Sequence, residues 1–311
     1  MPGFNSYGGP ARTSRIAMSK TSCTRLHSVR MNAREDLFHQ ALERFADLLR
    51  AGETQLESAC LEVGRYEADT AAASLIILVT SNAWAVHDLG VISPTRYPAA
   101  ASCARCAFEV GAVAAWLLSP DDPFEREGRW LGWFEANERF YTNLSRDLTT
   151  ISDDLAAAMQ RTATHYCDWR TQIEARLPRG RAAKKPSLPV ILKELGFSKL
   201  YMAYRGISQV VHAEPDAIQL VHKVEYVRKD PSSADDIFDS AGQTNCFGLF
   251  VNESSWDIAI RMASWGLMAS LPKLLLRTDG MDASMNLLFE NQRALHTALE
   301  KLSTSGNDSS V

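Results

Sequence analysis

Residues 93–123 read SPTRYPAAASCARCAFEVGAVAAWLLSPDDP, and this stretch indicates how the chain folds. It opens with a serine and a proline, which is a helix start with a capping residue and proline at the first helical position. Small and apolar residues then continue to Leu118, and Asp122 with Pro123 repeats the same start signal. Two successive helices joined by a short turn are therefore predicted.

The rest of the chain follows the same pattern. Apolar residues recur every three to four positions from residue 33 to residue 303, which places them on one face of a helix. Glycine and proline interruptions divide this region into about eight helices. The segment near 219–228 alternates instead, which is compatible with one small β element. Two long helices are predicted after it, at 244–277 and 282–303. We therefore predict an all-α fold, a multi-helix bundle.

The domain boundaries follow from composition. Residues 1–32 contain basic residues and no Asp or Glu, a composition that overlaps with organellar transit peptides. A disordered basic tail, or a start codon assigned too early, is the better interpretation. Residues 33–303 are predicted to form a single helical domain with a basic linker loop at 178–186. Residues 304–311 are predicted to be a frayed tail.

Bulk composition excludes several classes of protein. The 311 residues are 46% hydrophobic and 23% charged, which is typical of a globular chain and not of disorder or a fibrous repeat. A net charge of −4 provides no general attraction to nucleic acid or membranes. The apolar runs Ala71 to Val79 and Val110 to Leu118 are too short to cross a bilayer. With no secretory hydrophobic segment, the cytoplasm is the expected location, without membrane association.

Motifs of several common enzyme classes are missing from the sequence. It contains no P-loop, GxSxG, HExxH or GxGxxG pattern. Two acidic strings, at 121–125 and 235–239, are similar to motifs that hold Mg²⁺ and diphosphate in helical enzymes. The first lies at a predicted helix cap and the second in a serine-rich loop. A helical enzyme acting on a small molecule or a diphosphate therefore remains only a further alternative.

Four residues have the chemistry of zinc ligands: Cys103, Cys106, His165 and Cys167. The first two are three positions apart in the apolar helix, where cysteine commonly serves as a small buried residue. We favour that interpretation and predict neither a metal nor a cofactor.

Polar residues form a stripe along the predicted helix at 201–212. Because each residue of a helix turns by about 100°, four side chains at 4–3–4 spacing share one face: Tyr201, Arg205, Ser208 and His212. Burying such a stripe costs free energy unless it is hydrogen-bonded. The expected partners are Arg105 and Glu109, which lie four residues apart on another strongly apolar helix.

A family resemblance rests on three segments. They are residues 105–118, with their Arg-x-x-x-Glu pair, residues 126–130, and the Tyr-Arg-x-x-Ser-x-x-x-His spacing of residues 204–212. Together they resemble an uncharacterised bacterial family of helical proteins with HEPN-like and abortive-infection-like features. The resemblance covers residues 60–275. HEPN proteins are helical bundles that often dimerise, and an Arg and a His from two protomers line a shared, metal-independent RNA-cleaving cleft.

The resemblance implies roles for the residues of the stripe. His212 would act as general base or acid, and Arg205 would stabilise charge developing on the phosphate. Tyr201 and Ser208 would position that phosphate. Gly206 departs from the family pattern, in which a polar residue follows the arginine. The implied function is that of an endoribonuclease or toxin in stress or phage defence, with RNA as substrate and a homodimer as the assembly.

A non-catalytic alternative remains open. Arg34 and His39 have the same type of spacing as Arg205 and His212, so the spacing alone does not identify a nuclease. A helical regulatory or interaction module would instead use the stripe structurally, with a partner that the sequence does not specify. The nuclease hypothesis predicts an open groove lined by basic residues. The alternative predicts that His212 is buried against Arg105 or Glu109.

Overall fold

Helices dominate the computed structural model of this chain, and the predicted all-α bundle is confirmed. The structure describes residues 25–63, 66–178, 183–212, 222–226, 247–251, 253–277 and 281–304. Within these residues there are nine α-helices, close to the number expected from the sequence.

The helices are defined in chain order. They are α1 (Arg25–Glu62), α2 (Glu67–Ile92), α3 (Tyr97–Leu118), α4 (Pro123–Leu148), α5 (Asp153–Glu174), α6 (Leu188–Glu194), α7 (Leu200–Val211), α8 (Glu253–Leu275) and α9 (Met281–Thr304). A 3₁₀ turn, Pro94–Arg96, precedes α3. Two short strands, β1 (His222–Tyr226) and β2 (Phe247–Val251), pair antiparallel, and β1 lies inside the segment where the alternation was noted.

Helix α3 lies at the centre of the bundle. Helices α2 and α8 pack along it, α6 and α7 cover a further side, and α1 and α9 pack against each other and against α8. Its alanines allow close approach, and at the crossing with α8 the backbones meet at Gly111 and Gly266. Helices α4 and α5 form an antiparallel pair joined by an aromatic cluster around Trp130, Phe134 and Trp169. The position of α3 matters for function because it carries Arg105 and Glu109.

Of the two predicted helix starts, the one at Asp122-Pro123 is confirmed, whereas the one at Ser93-Pro94 lies too early, because Pro94–Arg96 form a 3₁₀ turn and α3 begins at Tyr97. The Asp122 side chain accepts a hydrogen bond of 2.9 Å from the backbone N–H of Phe124 at the start of α4. Ser152 does the same for Leu155 at the start of α5. Such side chains satisfy the N–H groups that the first helical turn leaves unpaired. The first acidic string therefore contributes a helix cap, as expected.

Two predicted boundaries differ from the structure. The helix predicted at 244–277 was wrong over its first residues, because β2 occupies Phe247–Val251 and α8 begins at Glu253. A short apolar run does not distinguish a strand from a buried helix by periodicity alone. Helix α1 begins at Arg25, inside the tail predicted to be disordered. Residues 1–24 and 305–311 lie outside the described part, as does the acidic string at 235–239.

Helices α2 and α3 are long and apolar enough to cross a membrane by length and composition. The sequence analysis judged both apolar runs too short to cross a bilayer, and that criterion was too strict. Scattered Ser, Thr and Asn residues interrupt an apolar run without making the whole helix polar. This finding is weak evidence for a membrane, since core helices meet the same criterion. The apolar window of α3 is 61% buried within the bundle, whereas that of α2 is 33% buried.

A buried ion pair connects α2 to α4. The Arg126 Nε and Nη2 atoms donate to the two carboxylate oxygens of Asp69 at 2.7 and 2.9 Å. Arg126 Nη1 also donates to the backbone oxygens of Pro120 and Asp121. Next to it, the buried Glu127 carboxylate accepts a hydrogen bond from the Ala68 N–H in the first turn of α2. These contacts hold the start of α2 against the turn between α3 and α4.

Candidate functional site

Helix α7 packs against α3 through an aromatic contact. Its Ile207 is buried, and the Tyr204 ring stacks on Phe108 of α3 with 5.9 Å between ring centroids. Tyr201 stacks in turn on Tyr204 at 5.7 Å. This apolar packing brings the polar atoms of Tyr204 and His212 next to the charged pair on α3.

Four side chains form a hydrogen-bonded group that we call the Arg105 cluster: Arg105, Glu109, Tyr204 and His212. Arg105 donates from Nε to Glu109 Oε1 at 2.8 Å and from Nη2 to the Tyr204 hydroxyl at 3.2 Å. Arg105 Nη1 lies 2.9 Å from His212 Nε2. The Tyr204 hydroxyl donates to Glu109 Oε1 at 2.6 Å. Of the predicted stripe, only His212 makes the expected contact, with Arg105, and Glu109 is instead bonded by Tyr204.

The contact between Arg105 and His212 has one possible direction. A guanidinium group has five N–H donors and no acceptor. Arg105 Nη1 is therefore the donor and Nε2 of His212 the acceptor in this hydrogen bond. His212 is solvent-exposed at the end of α7, so its ring is also accessible to a ligand.

Arg205 is not part of this cluster. It is exposed, and it makes no hydrogen bond or ion pair with any residue in the described part of the chain. Ser208 contributes its backbone oxygen, which accepts a hydrogen bond from the His212 N–H at 3.0 Å. Tyr201 contributes ring packing to Tyr204. The arginine next to His212 is thus Arg105 from α3 and not Arg205 from α7.

The electrostatics keep the cluster in one charge state. Burial, together with the hydrogen bond to the Glu109 carboxylate, raises the pKa of the Tyr204 hydroxyl. The hydrogen bond to Glu109 also raises the pKa of Arg105, despite partial burial of the guanidinium. Tyr204 therefore remains protonated and Arg105 charged at neutral pH. Glu109 orients both of these groups.

Two residues, Tyr204 and Lys185, were not predicted from the sequence to be site residues. Tyr204 falls outside the 4–3–4 stripe because it precedes Arg205 by one position. Lys185 was assigned only to a basic loop, yet it is half-buried, and burial lowers the pKa of its ammonium group while the charge of Glu109 opposes that shift. Lys185 and Glu109 are 76 positions apart, so no periodicity of the sequence relates them. The proline at 186, next to Lys185, does suggest a fixed loop conformation.

The other candidate sites do not assemble in the described residues. No group of three His, Cys, Asp or Glu residues that could hold a metal is present among them. Burial raises the pKa of the Cys103 and Cys106 thiols, as expected for small packed side chains. Two open surface depressions, of about 420 and 340 Å³, lie on α5 and between α1 and α9. Neither is lined by the Arg105 cluster.

A second arginine–histidine contact lies elsewhere in the bundle. Arg261 of α8 donates from Nε to Asp257 at 2.7 Å, and its Nη1 lies 2.7 Å from Nδ1 of His296 on α9. His296 Nε2 lies 3.1 Å from a carboxylate oxygen of Glu300. Both ring nitrogens of His296 are therefore engaged. This histidine provides a matched control for His212.

Comparison with known proteins identifies no relative. No family model, no curated protein and no solved structure matches this chain. The resemblance to HEPN-like proteins therefore remains a prediction that rests on the residues themselves.

Proposed function

We propose that the Arg105 cluster is the active site of a metal-independent endoribonuclease, HEPN-like in its chemistry and suited to stress or phage defence. The observation that carries the proposal is the 2.9 Å contact between Arg105 Nη1 and Nε2 of His212, a residue exposed to solvent. It puts a potential base and a permanent cation side by side. Arg105 takes the role that the sequence suggested for Arg205.

His212 would act on the ribose 2′-hydroxyl. An unprotonated imidazole nitrogen can serve as a general base, and His212 Nε2 would do so once the substrate hydroxyl replaces Arg105 as its hydrogen-bond donor. It removes the hydroxyl proton, and the O2′ atom then attacks the adjacent phosphorus. As the O2′–P bond forms, the P–O5′ bond breaks and the departing O5′ atom takes up a proton from water, while His212 returns its proton to the solvent. The products are a 2′,3′-cyclic phosphate and a free 5′-hydroxyl.

Arg105 would stabilise the charge that develops on the phosphate. Three of its five N–H donors are engaged by Glu109, Tyr204 and His212. The two remaining N–H groups, one on each Nη atom, are available for phosphate oxygens. Glu109 and Tyr204 act as positioning residues, because they orient the guanidinium of Arg105 through hydrogen bonds. Only Arg105 and His212 would contact the reacting atoms of the RNA.

The proposal includes a homodimer in the cytoplasm. Neither of the two depressions on α5 and between α1 and α9 is lined by His212. A second copy facing the Arg105 cluster would complete a cleft and exclude water from it.

A second candidate function is supported by the hydrogen bonds within the Arg105 cluster, which pair its charged groups with one another. Glu109 and Tyr204 both bond to Arg105 and to each other, so the charges balance without a ligand. Such a group can serve purely to hold α7 on α3 in a non-catalytic regulatory or interaction module. Exposure of His212 counts against this role, because a purely structural histidine was expected to be buried.

The test is cleavage of a short RNA in excess EDTA, compared with the same oligonucleotide carrying 2′-deoxyribose. We expect the wild type to cut only the RNA. His212→Ala should lower the rate by about 10²- to 10⁴-fold, the usual contribution of a general base. His296→Ala is the control, since it removes another exposed histidine bonded to an arginine. Equal rates for the two variants, or no cleavage by the folded wild type, would favour the non-catalytic module.

A further inference from the structure

Two cysteines lie one turn apart on a partly exposed edge of α3. Cys103 and Cys106 are both half-exposed free thiols, whereas the alanines that follow them, Ala104 and Ala107, are fully buried. Because the cysteines are three positions apart on a regular helix, its rise and radius place their Cα atoms about 5 Å apart. The two thiols therefore lie close together where a small reagent can reach them.

The spacing of these residues is close to that of a disulfide. Bridged cysteines have Cα atoms about 4.4–6.8 Å apart and Cβ atoms about 3.5–4.5 Å apart. Residues at this helical spacing meet the Cα requirement, but their Cβ atoms are about 5–6 Å apart. A bridge between Cys103 and Cys106 therefore requires the turn between them to tighten by about 1 Å. Disulfides under such strain are readily reduced, which is typical of regulatory bridges.

The turn that would tighten carries Arg105. This residue lies between the two cysteines in the chain, and its Nη1 atom lies 2.9 Å from His212 Nε2. His212 follows α7, so it does not move with the backbone of α3. A hydrogen bond of this length weakens steeply when its atoms are displaced or misaligned. A bridge in this turn would therefore disturb the contact between Arg105 and His212.

We propose that Cys103 and Cys106 form a reversible disulfide, with a small-molecule disulfide such as oxidised glutathione as the oxidant, and that this bridge separates Arg105 from His212. One protein thiolate attacks a sulfur of the oxidant, releases one glutathione and leaves a mixed disulfide. The second protein thiolate attacks the protein-bound sulfur and releases the other glutathione. The two protons lost by the cysteines pass to the two departing glutathione thiolates, so the protein is oxidised by two electrons and the reagent is reduced.

The first experiment maps the cysteines after incubation with oxidised glutathione at about pH 8.5. Burial raises the pKa of both thiols, and the thiolate is the reactive form. Trypsin cleaves after Arg105, so residues 97–105 and 106–126 stay joined only if the bridge has formed. We expect this joined product in the wild type and its loss after treatment with dithiothreitol.

Cys167 is the matched control for bridge formation. It is also a half-exposed free thiol, but the sequence has no other cysteine within one helical turn of it. We expect it to gain glutathione and to form no bridge. A wild type in which Cys103 and Cys106 stay reduced, or each keep a separate glutathione, would overturn the proposal.

The second experiment measures the effect on His212 without measuring catalysis. Diethyl pyrocarbonate acylates unprotonated imidazole nitrogens, and mass spectrometry gives the rate at each histidine. Oxidation should raise the rate at His212 several-fold, because Nε2 loses Arg105 as its donor, and should leave His296 unchanged. The variant Cys103→Ser should keep both rates after the same treatment. An unchanged rate at His212 in the bridged protein would mean that the disulfide does not reach the Arg105 cluster.

RNA cleavage separates this inference from the proposed function, on which only the effect of the bridge on catalysis rests. Oxidation should slow cleavage in EDTA by at least about tenfold, because a charge-stabilising donor is displaced, and dithiothreitol should restore it. Cys103→Ser should cut equally fast before and after oxidation. A bridge that raises the reactivity of His212 in a protein that never cuts RNA would support the redox inference while the nuclease proposal fails. Full activity of the bridged protein would overturn the coupling alone.

Discussion

Replacing Asp69 by alanine is expected to lower the free energy of unfolding by about 3–5 kcal/mol. Asp69 and Arg126 are 8% and 4% exposed, and their two parallel hydrogen bonds form between residues 57 positions apart. Removing the carboxylate leaves the Arg126 guanidinium charged and buried. It then keeps only its hydrogen bonds to the backbone oxygens of Pro120 and Asp121. The measurement is the unfolding free energy from urea denaturation.

Asp47 provides the control for this prediction. Its carboxylate pairs with Arg44 and Arg50 on the exposed side of α1. Asp47→Ala should cost less than about 1 kcal/mol, because solvent screens such pairs. The double variant Asp69→Leu with Arg126→Met should be more stable than Asp69→Ala alone, since no unpaired charge remains. If the two aspartate variants were equally stable, the buried ion pair would not anchor α2.

A single methyl group at the crossing of α3 and α8 should have a comparable effect. A Cβ atom at Gly111 would lie 2.4 Å from the Gly266 backbone oxygen and 2.6 Å from its Cα atom. At Gly266, a Cβ would lie 2.4 Å from the Ala107 oxygen. Since backbone atoms cannot rotate away as side chains do, Gly111→Ala should destabilise by about 3 kcal/mol, the upper end of ordinary overpacking.

The matched control is Gly206→Ala on α7. No atom lies within 4 Å of a Cβ built at this exposed helical position. Alanine should therefore stabilise the helix by about 0.5–1 kcal/mol, because it loses less conformational freedom on folding than glycine does. A lower Tm for Gly111→Ala together with a higher Tm for Gly206→Ala would support the close α3–α8 crossing. A neutral Gly111→Ala variant would contradict it.

Local sequence signals predicted most of the fold. Asp122 marked a helix start, and it makes the capping hydrogen bond that its residue type suggests. Apolar spacing located most helices within a few residues. It failed at Phe247–Val251, where five residues are too few to separate a strand from a helix, and the pairing strand lies far away in sequence.

Contacts between distant residues could not be predicted in the same way. The stripe on α7 suggested polar contacts with Arg105 and Glu109, and His212 makes one of them, with Arg105. The stripe did not indicate that Arg205 would face solvent and that Tyr204 would bond to Glu109, since both outcomes depend on how α7 is rotated against α3. The close approach of Ala183 to Gly132 likewise becomes visible only when α4 and the residues before α6 are seen together.

The most direct test of the proposed site compares Arg105→Gln with Arg205→Gln in the RNA-cleavage assay in EDTA. Both variants remove one arginine near His212, and urea denaturation establishes that each is folded at the assay temperature. We predict that Arg105→Gln lowers the rate by about 10²- to 10³-fold, as expected for loss of a charge-stabilising donor. Arg205→Gln should cleave like the wild type. Full activity of Arg105→Gln together with an inactive Arg205→Gln would contradict the assignment of Arg105 as the partner of His212.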